Sequence, residues 1–465
     1  MLKFKIFDEK SVKKIQRFTK LSPYLVCDLS AGVLYMWNAV YNLEYAVYNQ
    51  TLVLKCNFKN KKTVFFLPIG KDFDGAMREI ESYAFKNGIP LSFMCVEEEY
   101  LSVLYNRYNG EIKNEYNRDF SDYLYDYSAL KTLVGKKFSG QRNHINNFKK
   151  NYPFYRFEKF TYKDLPQILN FLKEYKKEHL NAKNIEKHEY QNTLKLVKNL
   201  NLGKFECACM KVDGKIVSFT VGEYVGNTLV IHVEKALKDY KGVYPTTFNE
   251  FLKLSEKEGV IYINREDDSG DLGLRTSKMQ YQPIKLINKH FVTVKSPMNV
   301  SKRPTLKGER VKLSKITLKD ASVYYKLSTS KSLNKYWGYD YKKDIKTPSP
   351  QAFYEMQRRD FIKKDNMCLA IRLNSTGEMI GEVVLHNFTY DNQVEVGVRL
   401  LKKYHKKGYS KESLNLIIDY ATNVLKKKVV AKCYIKNQSS LKSLKSANLT
   451  VKTADKKFYY LQKND

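Results

Sequence analysis

Acidic residues are scarce in this chain: 49 Asp and Glu stand against 82 Lys and Arg, a formal net charge of +33 over 465 residues. An excess of that size sets up a field that attracts nucleic acid, anionic lipid or phosphorylated cofactors. Well-solvated lysines produce the same count, so the charge alone names no partner. Cysteine is equally sparse. Cys27, Cys56, Cys95, Cys207, Cys209, Cys368 and Cys433 lie in apolar, strand-like stretches, and the closest pair, Cys207-Ala-Cys209, has neither zinc-knuckle nor thioredoxin spacing. A disulfide scaffold is excluded, buried thiols in a reducing cytoplasm are expected, and no metal is expected. Long apolar runs are missing too. The longest, such as Val64–Ile69 and Leu414–Ile418, fall far short of the roughly 20 residues that cross a bilayer. Met1-Leu-Lys-Phe-Lys leads straight into mixed charge, so a cleaved export signal is not expected.

What is present is a normal 43% of hydrophobic residues in a chain long enough for two to four units at about 150 residues each. The clearest boundary is Lys295-Ser-Pro-Met-Asn-Val-Ser-Lys-Arg-Pro304, where turn formers and two prolines break the periodic pattern. Beyond it come strands Cys368–Leu373, Met379–Leu385 and Val394–Arg399, a basic turn around Gly408, a helix to about Leu425 and strand Val429–Tyr434. The middle of the chain repeats this order. Helix Leu165–His179 precedes a hairpin through Asp213-Gly214, strand Leu229–Glu234, a loop to Gly242, helix Pro245–Glu258 and strand Val260–Asn264. A fainter copy, with strands Leu52–Cys56, Val64–Leu67 and Ser92–Val96 and a helix near Ala76–Phe85, opens the chain. Its glycine turn, Gly70 to Gly75, lacks the basic run. The fold class expected is mixed α/β, with three related units at 1–145, 146–298 and 306–465.

The most informative stretch is Val394-Glu-Val-Gly-Val-Arg-Leu-Leu-Lys-Lys-Tyr-His-Lys-Lys-Gly-Tyr-Ser410. It reads as a strand, a basic glycine turn and a helix start, which gathers unpaired N–H groups and the positive helix end where a phosphate can sit. Residues 306–465 thereby resemble a GNAT N-acetyltransferase of the branch similar to ribosomal-protein acetyltransferases. In that family an Arg/Gln-x-x-Gly-x-Gly/Ala turn wraps the pyrophosphate of acetyl-coenzyme A. The matching residues are His405, Lys407, Gly408, Tyr409 and Ser410, with His405 and Ser410 departing from the usual types. A second signature falls on Asn437 and Ser440, with Leu444 where the family has a proton-donating Tyr and Asn448 where it has a helix-ending Gly. The resemblance implies that the strand backbone at Val396, Val398 and Leu400 orients the cofactor. Glu395 is the candidate for taking the amine proton, with Glu382 and His386 as further candidates; a solvent-facing strand residue is the competing reading of Glu395.

Residues 1–300 carry a second resemblance, to the soluble C-terminal region of phosphatidylglycerol lysyltransferases, which is built of two GNAT-type halves. Its residues are Asn264-Arg-Glu-Asp-Asp-Ser-Gly270-Asp-Leu-Gly-Leu-Arg275-Thr-Ser-Lys278, His232-Val-Glu-Lys-Ala236 and Lys136-Lys-Phe-Ser-Gly-Gln-Arg142-Asn143. Family members take an aminoacyl group from charged tRNA to a lipid hydroxyl. The resemblance implies that Glu234, Glu266 and Asp268 hold a lysyl amine, and that Arg142, Asn143, Lys235, Arg275 and Lys278 meet phosphates of tRNA or an anionic lipid headgroup. An internal salt-bridge network that fixes a loop explains the same residues. Coenzyme A is not expected in this half, since Leu237-Lys-Asp-Tyr-Lys-Gly242 lacks the basic turn.

The resulting expectation is a cytoplasmic acyltransferase fusion, with possible contact at the membrane periphery. An acetyl-coenzyme A-dependent domain acting on an amine follows a region that uses aminoacyl-tRNA or belongs with soluble relatives of unknown substrate. The alternative is a non-catalytic basic protein that holds RNA or a membrane surface on GNAT-like units.

Overall fold

The computed structural model describes residues 2–59, 62–179 and 184–464. The chain forms two compact units, Met1–Val294 and Lys295–Asp465. They contain three mixed sheets, two in the first unit and one in the second. Among the described residues each sheet has one parallel strand pair in otherwise antiparallel surroundings, with a helix linking the two parallel strands. The three-copy architecture legible in the sequence is therefore real at the level of topology.

In the first sheet the parallel partners are Thr63–Phe65 and Ser92–Glu97, joined by helix Phe73–Lys86. The second sheet uses β1 (Asp122–Asp126), with α1 (Ser139–Asn151) following it, then β2 (Lys215–Val225), β3 (Thr228–Ala236), α2 (Val243–Leu254), β4 (Tyr262–Asn264) and α3 (Leu272–Met279). Strand β3 is central and buried along nearly its whole length, which suits its run Thr-Leu-Val-Ile-His-Val. A last strand, β5 (Lys289–Val294), returns to the first sheet and lies between Ser92–Glu97 and Ile112–Tyr116.

This return corrects the expected division at residue 145. That position lies inside α1, β1 from the supposed first half pairs antiparallel with β4, and β5 from the supposed second half completes the first sheet. The two halves exchange strands, so each needs the other to close its own sheet. Between them lies a buried ionic cluster. The Lys289 ammonium contacts Asp28 and Asp122 at 2.8 Å each and Asp267 at 3.2 Å, and Cys27 Sγ stands 3.3 Å from Asp122. Burial opposes charge on Asp28, but Lys289 outweighs it and holds the carboxyl below its usual range. Cys27, Asp28 and Asp122 converge as three metal ligands would, yet the cation among them is the lysine itself.

The second unit runs β6 (Val311–Ser314), α4 (Ala321–Thr329), α5 (Pro350–Ile362), β7 (Asn366–Leu373), β8 (Met379–His386), β9 (Gln393–Leu400), α6 (Tyr409–Asp419), β10 (Lys428–Tyr434), α7 (Gln438–Ser446), β11 (Leu449–Ala454) and β12 (Phe458–Lys463). One face of the sheet packs on α4 and α5 through Tyr324, Leu327, Phe353 and Met356. The other packs on α6 and α7 through Leu414, Ile417, Ile418, Leu441 and Leu444. The alternating apolar residues of β9 supply the core side, and α6 buries the stripe Leu414, Ile417, Ile418 at helical spacing.

Candidate functional site

Three helices start at a glycine turn after a strand, and their N-termini differ. In the first sheet, Asp72 caps helix Phe73–Lys86 by accepting from the Gly75 N–H at 2.8 Å, so a carboxylate already fills the anion position. In the second sheet Gly242 precedes α2 at φ +84°, but a Cβ placed there would stand 2.3 Å from the His144 carbonyl oxygen and 3.1 Å from Phe148. Helix α1 lies directly over that turn. The third is open. Gly408 stands at φ +83° before α6, among the described residues no side chain caps it, and the nearest atoms to a placed Cβ belong to the Arg310 guanidinium, at 3.1 Å and beyond.

At this turn the first intrahelical bond of α6 is donated by Glu412 to the Gly408 carbonyl, so the N–H groups of Tyr409, Ser410 and Lys411 precede the ladder. Lys406, at φ +61°, and Lys407 are exposed beside them. Arg310 braces the turn: its Nη1 donates to the Lys407 carbonyl at 3.0 Å and its Nε to Glu412 at 3.0 Å. Sequence reading missed Arg310, because nothing in β6 or its approach marks a residue that closes on a turn a hundred positions later. His405 contacts the Leu400 carbonyl through Nε2 at 2.9 Å, so it shapes the turn from behind.

Strands β9 and β10 pair in parallel only over Gln393–Glu395 and Lys428–Val430, and beyond that they part. Past that pairing Val396 and Leu400 are buried in the core, Val398 packs against it half-buried, and Glu395 is the last β9 residue in the parallel register. Asn387 donates to Glu395 Oε2 at 2.9 Å. Asn437 caps α7 by accepting from the Ser440 N–H at 3.2 Å, and Asn448 takes the left-handed conformation at φ +62° that ends it. Leu444 is 4% exposed in the core and contributes packing alone. Glu382 is removed as a base candidate: it is buried against Arg399, which donates to it at 2.5 Å and to Ser328 at 3.1 Å. Trp337, also unforeseen, covers the Arg399 guanidinium at 4.3 Å and closes on Gly397.

The corresponding opening of the second sheet is filled. Strands β3 and β4 pair over Thr228–Val230 and Tyr262–Asn264, and past them Arg265 fills the gap. It donates to both oxygens of Glu234 at 3.0 and 3.1 Å and lies between the rings of Phe248 and Tyr281, at 4.2 and 4.7 Å. The loop that follows is held tightly. Lys278, the one buried residue of α3, donates to the carbonyls of Arg265 at 2.6 Å and Asp267 at 2.5 Å, and burial followed by the Arg265 charge pushes its ammonium down. Asp268 is fully buried, with Arg275 on both oxygens at 2.8 and 2.9 Å, Tyr123 at 2.5 Å and the Gly270 N–H at 3.0 Å. Burial alone would raise this carboxyl; those donors hold it well below the usual range.

This geometry corrects several expected roles. Asp268, Arg275 and Lys278 are spent on the loop itself, Glu234 is spent on Arg265, and Lys235 pairs with Glu189. Arg142 turns back to the carbonyls of Leu133 and Gly135, while Asn143 is exposed. Glu266 remains. It adopts φ +58°, its N–H donates to Asn264 at 2.7 Å, and its half-buried carboxylate receives His232 Nδ1 at 2.9 Å. On the other side, His232 Nε2 lies 3.6 Å from Glu223, which Gln16 and the Gly32 N–H hold at 2.8 and 3.1 Å. Burial would lower the imidazole; the two carboxylates outweigh it and raise it to about 9. Gly32 is required here, since a Cβ would meet His232 at 2.5 Å. Glu223, Gln16 and Gly32 carried no sequence signal.

Helix α3 is inverted: its lysine is buried while Leu272, Leu274 and Met279 are 71, 43 and 44% exposed, with Ile284 and Phe120 also exposed nearby in sequence or across the Asp119–Arg275 pair.

A parallel strand pair followed by a glycine turn into a helix gives both units a GNAT-like mixed-sheet fold. Residues 19–293 match the family model "Phosphatidylglycerol lysyltransferase, C-terminal", and the chain belongs to that family. Residues 310–450 match the Acetyltransferase (GNAT) domain. A conserved protein of unknown function from Bacteroides thetaiotaomicron is similar in structure, with TM-score 0.60 and 30% identity, covering 63% of this chain and 100% of that one. L-PGS from Bacillus licheniformis is 17% identical with TM-score 0.46, covering 63% of this chain and 94% of that one. An uncharacterised protein of Mycoplasmoides gallisepticum is 25% identical over 194 residues, which is 41% of this chain and 60% of that protein. This chain thus matches about three fifths of the length of that curated relative. Among the described residues no helix is long and apolar enough to cross a membrane.

Proposed function

We propose that the carboxy-terminal unit transfers an acetyl group from acetyl-coenzyme A to an amine, and that the amino-terminal unit transfers an aminoacyl group from a different donor, aminoacyl-tRNA. The observation that carries this reading is the contrast among the three helix N-termini, of which only Gly408 is open to a pyrophosphate.

The residues at the third turn fit coenzyme A, whose bound acetyl thioester supplies the activated acyl group. The N–H groups of Tyr409, Ser410 and Lys411 receive the pyrophosphate, with Lys406 and Lys407 adding charge. The free edge of β9 at Val396 and Val398 orients the pantetheine. Glu395, held by Asn387, accepts the proton of the incoming amine directly or through water. Leu444, a core residue, could not return a proton to the leaving sulfur, so another donor or solvent would have to supply it. Glu395→Gln should lower turnover at pH 7 by about 100-fold with coenzyme A affinity unchanged, measured by release of free thiol. Unchanged turnover would remove Glu395 from the mechanism.

In the amino-terminal unit, Glu266 is the carboxylate left to meet a lysyl amine, and exposed Lys136, Lys137 and Asn143 at the start of α1 are left to meet phosphates. The exposed leucines and Met279 of α3 support a lipid acceptor beside that site. Transfer of labelled lysine from lysyl-tRNA to extracted anionic lipid should be lost in Glu266→Gln; transfer that persists in this variant would overturn the assignment.

A further inference from the structure

The carboxy-terminal unit has a second polar concavity, distinct from the Gly408 turn. It is a cleft of about 660 Å³ on the α4 face, whose basic lining is Lys302, Arg303, Lys312, Lys315, Lys319 and Arg372. Two acids also line it, and both are already neutralised. Asp320 is held by Arg372 at 2.6 and 2.8 Å, and Glu378 by Lys403 at 3.0 Å and Tyr404 at 2.8 Å. Among the described residues Lys302, Lys312, Lys315 and Lys319 have no carboxylate partner. Arg303 is the more telling group. Its guanidinium lies 4.1 Å over Phe361 and its Nη2 donates to the carbonyl and side-chain oxygens of Gln357 at 2.7 Å each, while Nε is buried with no acceptor among the described residues. A shielded cation with neutral partners and an orphaned N–H is costly, and a bound anion relieves both costs.

We infer that this cleft binds a small ligand bearing two or more phosphate groups, such as a nucleoside polyphosphate or inorganic polyphosphate. Four free ammonium groups exceed what one carboxylate or a single phosphate neutralises, and the volume lies within the roughly 300–1,000 Å³ range of small-ligand sites. Val323 and Met379 add an apolar floor. None of residues 405–410 lines the cleft, so it is separate from the expected pyrophosphate site of coenzyme A.

The test is calorimetric titration of the full-length chain with inorganic triphosphate, with and without saturating coenzyme A. With coenzyme A saturating the Gly408 turn, one equivalent should bind. Affinity should fall at least tenfold in Arg303→Gln and in the double variant Lys315→Ala with Lys319→Ala, whose exposed side chains are removable without touching the core. Absence of saturable binding to the folded wild type, displacement by coenzyme A, or unchanged affinity in the double variant would each overturn the assignment. So would binding confined to a labelled RNA oligonucleotide, which would make the lysines an RNA surface instead.

Discussion

His232 has no exposed side-chain surface and sits between Glu223 and Glu266, which keep it charged until about pH 9. Its ordinary value is 6.5, so the stabilisation it provides is fully present below pH 6.5 and fades as pH rises through about 9. The difference in unfolding free energy between wild type and His232→Gln should therefore be largest at pH 6, on the order of 3 kcal/mol at most, and shrink steadily toward pH 9.5. Urea denaturation across that range checks it, and a pH-independent difference would refute the charged assignment. Arg265 gives a second residue-scale expectation. Removing Glu234, its one carboxylate partner among the described residues, by Glu234→Ala leaves a buried guanidinium uncompensated and should cost about 3–5 kcal/mol. The same denaturation measurement on Glu395→Gln should show a change within about 0.5 kcal/mol.

At the scale of elements, the two glycine turns look alike in sequence and differ in what covers them. Gly242→Ala forces a Cβ into the His144 carbonyl, a backbone atom of α1, and should destabilise the first unit by about 2 kcal/mol or more. Gly408→Asp meets only the Arg310 side chain, and Asp tolerates the left-handed region, so the second unit should stay folded while a carboxylate occupies the anion position. The Gly408 turn was legible because the residues that form it, apart from the distant brace Arg310, are local: strand, basic run, glycine and helix lie within about twenty positions. The closure of Gly242 was not, since α1 reaches it from a hundred residues upstream. Asp268 and Arg275 illustrate the same limit. Their types and spacing fit ligand binding and an internal ion pair equally, and only the positions of Arg118, Asp119 and Tyr123, distant in sequence, decide for the pair.

For the whole molecule, hairpins and parallel crossovers were readable from period-two runs and turn residues, and the three related sheets follow from them. Strand exchange between the first two was invisible, because β1 and β5 read as ordinary strands and nothing local states which sheet they join. The exchange has a consequence for truncation. Residues 1–145 or 146–298 expressed alone should lack cooperative thermal unfolding, whereas 295–465 should retain it. A cooperative transition in either short fragment would show that the sheets close independently. The central claim is that one chain carries two acyl-transfer units with different donors, and the stoichiometry of coenzyme A tests it most directly. Calorimetric titration of the full-length protein should give one equivalent per chain, abolished in Gly408→Asp. Two equivalents, or one that survives Gly408→Asp, would contradict it.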